Sequence, residues 1–450
     1  MRLLALLAAL VGALVIPGAP PGIGVVAVAV LIAAAALPGA RRSTDLVLFG
    51  APALVLAAFP ALLDARWVVV VDVLAAWLFA TIAVGGPRLL APLAPVVALP
   101  GLPELLPESS SRAVPALRSA VIGTALAVPF AALFLTADAA FAALADNVPR
   151  PEADSLPGRL VAFVFVLLAA VSLALAARRR LAGRVVVPRR RLSFVEWALP
   201  LAVLDALFLA FVAVQLTVLF GGNDHVLKTA GLTYAEYARQ GFWQLIAAAA
   251  LTLVVVKGAT LVAQPRTTTE ERTLQLLLGL LCALTLVVLA SALHRLMLYV
   301  DAFGLTRPRL AAEGFILWLG GTFAILLLLG ALRRTASFPR TVLVWTASTL
   351  VAFSIANPDA RIADRNVERW RNTGRLDVDY VSTLSADAVP ALNELPAPLR
   401  PRVLAQIVDR LSREEPWSSA NLSRTRAQRH LVHSRSSLTR PNSTPSTHSP

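Results

Sequence analysis

The sequence is poor in the groups that usually carry chemistry. Of 450 residues, one is cysteine, five are histidine and four are tyrosine. The lone Cys282 excludes an intrachain disulfide and any site built on two thiolates. Charge is scarce too: Asp, Glu, Lys and Arg make up 15% of the chain, against roughly 25% in soluble domains. The sequence contains no phosphate-binding glycine loop, no GxSxG elbow, no HExxH pair and no dinucleotide fingerprint. Those absences remove the standard nucleotide-dependent, hydrolytic and zinc-protease readings. His430 and His433 form an HxxH in a polar tail and read as composition. Nothing in the residues calls for a metal or a cofactor.

What is abundant is apolar length. Hydrophobic residues make up 57% of the chain, and they recur in runs of about 17–25 residues, enough to cross a bilayer as a helix. The runs do not alternate with period two, and only helices or closed barrels satisfy their backbone in lipid. The fold class expected is all-α: a polytopic transmembrane helix bundle with a small C-terminal helical extramembrane unit and a disordered tail. Candidate spans are 3–16, 22–37, 46–63, 67–84, 119–144, 159–177, 196–220, 242–262, 273–293, 311–332 and 341–356, about eleven in all. Segment 3–16 has the length of a signal-peptide core, but no small-x-small site follows near Ile16, so a retained helix is expected.

The net charge of +14 comes mainly from arginine. In such a chain a basic balance points to cytoplasmic loops rather than nucleic acid. The densest cluster, "RRRLAGRVVVPRRR" at 178–191, is expected on the cytoplasmic side. Counting spans outward from it places the acidic loop at 146–154 outside and Arg41–Arg42 inside. The segments 221–239, 294–309 and 357 onward then also fall outside. Trp67, Trp197 and Trp243 sit near span ends, as an interfacial belt requires.

Three domains are expected: 1–356 in the membrane, 357–415 as the helical unit, and 416–450 as a Ser/Thr/Pro/Arg-rich tail unable to bury a core. Asn357 is placed to N-cap a helix with Pro358 at N1, Asp359 in the first turn and Gly374 as C-cap. Ile362, Ala363, Val367 and Trp370 give it an apolar stripe at helical spacing. Ser385 and Asp387 open a second helix, and "PLRPRVLAQIVDRLSREE" is a third.

Charged groups within spans are expensive and functional by default. They are Asp72, Asp205, Lys257 and Glu313; pairing with a neighbouring helix is the commoner role, a proton or ion relay the sharper one. At the expected outer face, a polar cluster gathers Asp138, Glu236, Arg239, Arg295, Tyr299, Asp301, Arg309, Asn357, Asp359, Asn366 and Arg369. Carboxylates and arginines together suit an anionic head group, with Arg as clamp and a carboxylate as base. The plainer reading is that these groups pair with one another and pin helix ends.

Several stretches carry a resemblance: "TADAAF" (136–141), "VQLTVLFGG" (214–222), "GLTYAEYARQGFWQL" (231–245), "HRLMLYVDAFGLTRPRL" (294–310), "NPDARIADRNVERW" (357–370) and "LDVDYVSTLSADAVPAL" (376–392). Their order resembles the bacterial polytopic membrane family known as domain of unknown function 4173, with its relative 4153. The resemblance implies a multi-pass protein of the bacterial cell membrane and supplies no activity. The function expected is an envelope sensor, scaffold or ligand-binding protein working on the extracytoplasmic side. Its partners would be membrane lipids and an envelope protein or lipid-linked ligand, with no nucleic acid. The alternatives are a membrane enzyme on a lipid-linked or anionic envelope substrate and, third, a transporter, which lacks supporting internal repeats.

Overall fold

A computed structural model describes residues 2–40, 43–85, 166, 170, 194–220, 242–263 and 265–438. Every regular element among them is helical: α1 (Arg2–Val15), α2 (Ile23–Ala36), α3 (Thr44–Ala58), α4 (Arg66–Gly85), α5 (Phe194–Phe220), α6 (Phe242–Val262), α7 (Thr268–Phe303), α8 (Arg307–Ala331), α9 (Phe338–Ile355), α10 (Pro358–Thr373), α11 (Val378–Ser382), α12 (Val389–Leu392), α13 (Arg400–Leu411) and α14 (Leu422–Leu438), with short 3₁₀ turns between. Five membrane-crossing candidates lie among the described residues: 44–61, which adds a 3₁₀ turn to α3; α4; α7; α8; and 335–355, which adds one to α9. Shorter apolar helical stretches occur at 3–15, 23–36, 197–213 and 248–260. The expected spans at 119–144 and most of 159–177 lie outside the described residues, as does the arginine cluster at 178–191.

The chain divides into two compact units, one of residues 1–183 with 410–432, the other of 184–409 with 433–450. In the first, α1 packs on α2 through small side chains. Ala5, Ala8, Val28 and Ala35 form a buried cluster with Val166 and Ala170, described residues of the 159–177 segment. Small residues let backbones approach closely where lipid offers no hydrophobic drive. A Cβ on Gly24 would overlap Val15, so that approach needs glycine. Helices α3 and α4 form a hairpin whose Phe49 and Phe79 stack at 6.4 Å.

The segment after Pro416 corrects the expectation of a structureless tail at its start. Ser419, Asn421 and Arg424 are buried. The Asn421 amide donates to the carbonyls of Pro60 and Leu63, each at 2.9 Å, in the α3–α4 turn. Arg424 pairs with Asp64 at 2.7 Å and Glu415 at 3.0 Å, and donates to Pro21 O at 3.0 Å. The segment has no apolar core of its own; it docks into a turn built by others. Residues 439–450 lie outside the described set.

In the second unit, α7 is the central helix, contacting α5, α6 and α8, and α8 in turn packs on α9. Thr267 caps α7 at the Glu270 amide, and Glu270 reaches back to the Arg266 amide at 2.7 Å. With 36 residues, α7 is ~54 Å long at 1.5 Å per residue, well beyond a hydrocarbon core of about 30 Å. Its polar ends therefore project from the apolar stretch at 273–293. Trp197 departs from the expected belt: it is 5% exposed and packed with Leu201 and Ala263.

Replacing Arg424 by Ala removes a partner from each of two carboxylates. Both retain some exposure, so the loss is set at about 2 kcal/mol. A lower unfolding temperature of the detergent-solubilised protein, matched by truncation before Pro416, is the expected result.

Candidate functional site

The polar groups of the second unit concentrate where α7 ends and α8 begins. Helix α7 stops at Phe303 because Gly304 takes φ +84, a left-handed value that glycine adopts without strain. Proline at α8's second position suits a helix start, since its missing N–H would have no partner there. A helix end leaves its last carbonyls without intrahelical donors. Here side chains from α8 and α10 supply them. Arg369 donates from Nε to Asp301 O at 3.1 Å and from Nη2 to Ala302 O at 2.6 Å. Arg309 donates to Gly304 O. Asn366 donates to Leu305 O at 2.8 Å and to its own turn at Ile362 O. Cations at a helix C-terminus also oppose the negative end of its dipole.

A second set of bonds holds α10 to the start of α8. Arg307 meets Asp359 with two nitrogens, Nε at 2.9 Å and Nη2 at 2.5 Å, the bidentate fork that suits a carboxylate. Asp359 is fully buried and also accepts from the Ser385 amide at 2.9 Å. The Arg307 amide donates to the Tyr380 hydroxyl at 2.6 Å. Burial pushes the Tyr380 phenol above its ordinary range, so it stays neutral. Asp387 is buried and accepts from Ser385 Oγ at 2.8 Å and Asn357 Nδ2 at 3.2 Å. Ile362, Ala363 and Val367 bury the apolar stripe of α10, which packs on α12 and the 3₁₀ turn at 386–388.

Asn357 holds the N-cap position, but not in the role expected of it. Its backbone is left-handed at φ +48, its side chain makes no cap bond, and its amide goes to Asp387 instead. Ser385 likewise bonds Asp387 rather than a main-chain amide. Gly374 closes α10 with φ +70 and a bond from its amide to Trp370 O at 2.7 Å.

The structure thus brings together Tyr299, Asp301, Arg309, Asn357, Asp359, Asn366 and Arg369. The Arg309 guanidinium lies over the Tyr299 ring at 4.1 Å, a cation–π contact, and Tyr299 meets Phe303 edge-on at 5.2 Å. Asp301 contributes its carbonyl to Arg369, and its residue is exposed. Arg295 is half-buried one turn before Tyr299 on α7. Asp138, Glu236 and Arg239 lie outside the described residues. Glu313 is drawn into the same region, reaching Arg361 of α10 at 3.5 Å. Asp72 and Asp205 are buried within α4 and α5, while Lys257 sits on the exposed side of α6.

Sequence reasoning did not single out Arg307, Tyr380 and Arg361. All three lie in recognised motif stretches, yet Arg307 and Asp359 are 52 positions apart and no periodicity links them. Chemically the arrangement is closed. The Asp359 carboxylate is spoken for by Arg307 and Ser385, and Arg369 by main-chain oxygens. Among the described residues, no group of three or more His, Cys, Asp or Glu is placed to hold a metal.

Long apolar helices joined at one end to a polar helical cap define the class: an all-helical integral membrane protein. Comparison with known families matches residues 25–395 to a domain of unknown function, DUF4153. The match spans most of the chain, and the protein belongs to that family. It takes in the whole cap from Asn357 to Leu395 and ends before the Arg424 clamp. No curated protein and no solved structure matches the chain.

Replacing Asp359 by Ala leaves Arg307 without its carboxylate. The expected cost is about 3 kcal/mol, the lower end for a broken buried pair because Arg307 keeps some exposure. The expected readout is faster proteolysis within 357–395, with part of the loss recovered when Arg307→Met is added. Gly304→Ala should act on the same cap, since the new Cβ overlaps Asn366 Oδ1 and demands a strained φ.

Proposed function

We propose that this protein is a non-enzymatic sensor or scaffold of the bacterial cell membrane, with about eleven spans and its working surface on the extracytoplasmic cap. The observation that carries the reading is the wiring of α10 to the ends of α7 and α8 through Arg307–Asp359, Asn366 and Arg369. A module fixed to span ends by several directed bonds moves with those spans. Binding at its outer face therefore reaches the membrane helices, and a rearrangement of the helices reaches the cap.

The exposed face of α10 carries Arg361, Arg365, Glu368 and Arg371. That charged, mixed surface suits an envelope protein or the anionic head of a lipid-linked ligand rather than nucleic acid. Arginines engaged in closing the helix end are not available to clamp a substrate, which favours a binding module over an enzyme. The sidedness rests on charge. The opposite end of α7–α9 carries Arg266, Arg272, Arg333, Arg334 and Arg340 in short polar segments, the mark of a cytoplasmic loop.

Reporter fusions test the sidedness. Phosphatase activity is expected at Gly374 and cytoplasmic fluorescence at Arg184. Phosphatase activity at Arg184, or fluorescence without phosphatase at Gly374, overturns it. The working surface is tested by complementation of a deletion strain, scored by its lipid and envelope profile. The paired exchange Arg365→Glu with Glu368→Arg should abolish complementation at normal protein levels; full complementation would remove this face from the function.

A further inference from the structure

Helix α5 presents Leu201, Leu204, Phe208 and Val212 to the core it shares with α7, at helical spacing. Leu199, Val203, Leu207, Leu209 and Phe211 are exposed on its other faces. Asp205 lies on the inward stripe. It is 4% exposed, and neither carboxylate oxygen has a hydrogen-bond partner among the described residues. It sits ~16 Å along the helix from Phe194 and ~22 Å from Phe220 at 1.5 Å per residue, so it is at mid-span depth.

Among the described residues, the surroundings offer nothing to neutralise it. Between Arg272 and His294, α7 carries no charged residue; its titratable group there is Cys282, buried in the same core. The α6 helix, which also borders this core, carries Lys257, whose side chain is exposed. Other buried carboxylates of this unit are treated differently: Asp359 has Arg307 and the Ser385 amide, and Asp387 has Ser385 and Asn357. A bare carboxylate in an apolar seam is far costlier than a neutral carboxylic acid, so the group resolves the cost by holding a proton.

We propose that Asp205 is a proton-binding site: a carboxyl group protonated at rest, at the α5–α7 contact, that exchanges its proton reversibly. Losing that proton puts a bare negative charge into the seam, so protonation and the packing of α5 on α7 are coupled.

Infrared difference spectra of the purified full-length protein in lipid, wild type against Asp205→Asn, test this directly. The expected result is the C=O stretch of a protonated carboxylic acid at neutral pH, missing from Asp205→Asn and lost from wild type as the pH is made alkaline. Asp205→Glu should restore the band at a shifted frequency, which separates a lost acid from a lost fold. A hydrophobic carbodiimide gives a second reading. The carboxyl proton passes to one reagent nitrogen, the carboxyl oxygen bonds to the reagent carbon, and acyl migration leaves a stable N-acylurea on Asp205. Labelling that falls as pH rises and vanishes in Asp205→Asn supports the site. Carboxylate bands from Asp205 at neutral pH, or an acid band that alkaline pH does not move, overturns it. Protection from the carbodiimide by sodium or lithium at fixed pH assigns the site to a metal cation and also overturns it.

Discussion

A helix that runs out of the bilayer must find donors for its last carbonyls, and the way α7 does so organises the rest of the second unit. Asp301 O and Ala302 O are taken by Arg369, Gly304 O by Arg309, and Leu305 O by Asn366. Two of those three side chains come from α10, more than sixty positions along the chain. Helix α10 must therefore lie across the α7–α8 turn, and the Arg307–Asp359 fork fixes its other end there. The turn at 386–388 then packs on α10 and satisfies Asp359 through the Ser385 amide. Each step of the cap follows from the need to close one helix end.

Much of the architecture was legible because apolar length is a strong signal. The expected span at 242–262 coincides with α6, and that at 196–220 with α5 to within two residues. The expected 273–293 falls short of α7 at both ends, since hydropathy registers the lipid-facing stretch and ignores the helix that continues into water. Asp359, Asn366 and Arg369 share one short motif stretch, so their nearness to one another was readable from motif position. Their partners were not, because four of the acceptors are main-chain carbonyls that every residue type offers equally. Asn357 shows the limit of local rules. Its residue type and the proline after it predict a capping side chain, yet the left-handed backbone turns that side chain toward Asp387. The polar segment after Pro416 misleads in the opposite way. Its composition cannot build a core, but a segment can dock by filling the hydrogen-bonding needs of another turn.

Buried charge is handled in two contrasting ways within this chain. Arg307–Asp359 and Arg424–Asp64 are closed pairs outside the apolar stretches, supplied with further main-chain bonds. Asp205 stands in the apolar stretch of α5 with no such provision among the described residues. Natural sequences tend to keep local inconsistencies of that kind where something other than stability is being selected. The cap reads as finished structure, the α5–α7 seam as a place left able to change.

The Arg424 clamp also has a temporal meaning. Asp64 and Arg424 are 360 positions apart, and at 5–20 residues per second the second emerges roughly 20–70 s after the first. Throughout that interval the guanidinium and amide that bond to the acid and two carbonyls of the α3–α4 turn have not yet been synthesised. The first unit is thus latched by a segment that follows residues 184–409 of the second unit in the chain, so a nascent chain interrupted before Asn421 would carry its N-terminal helices without that latch.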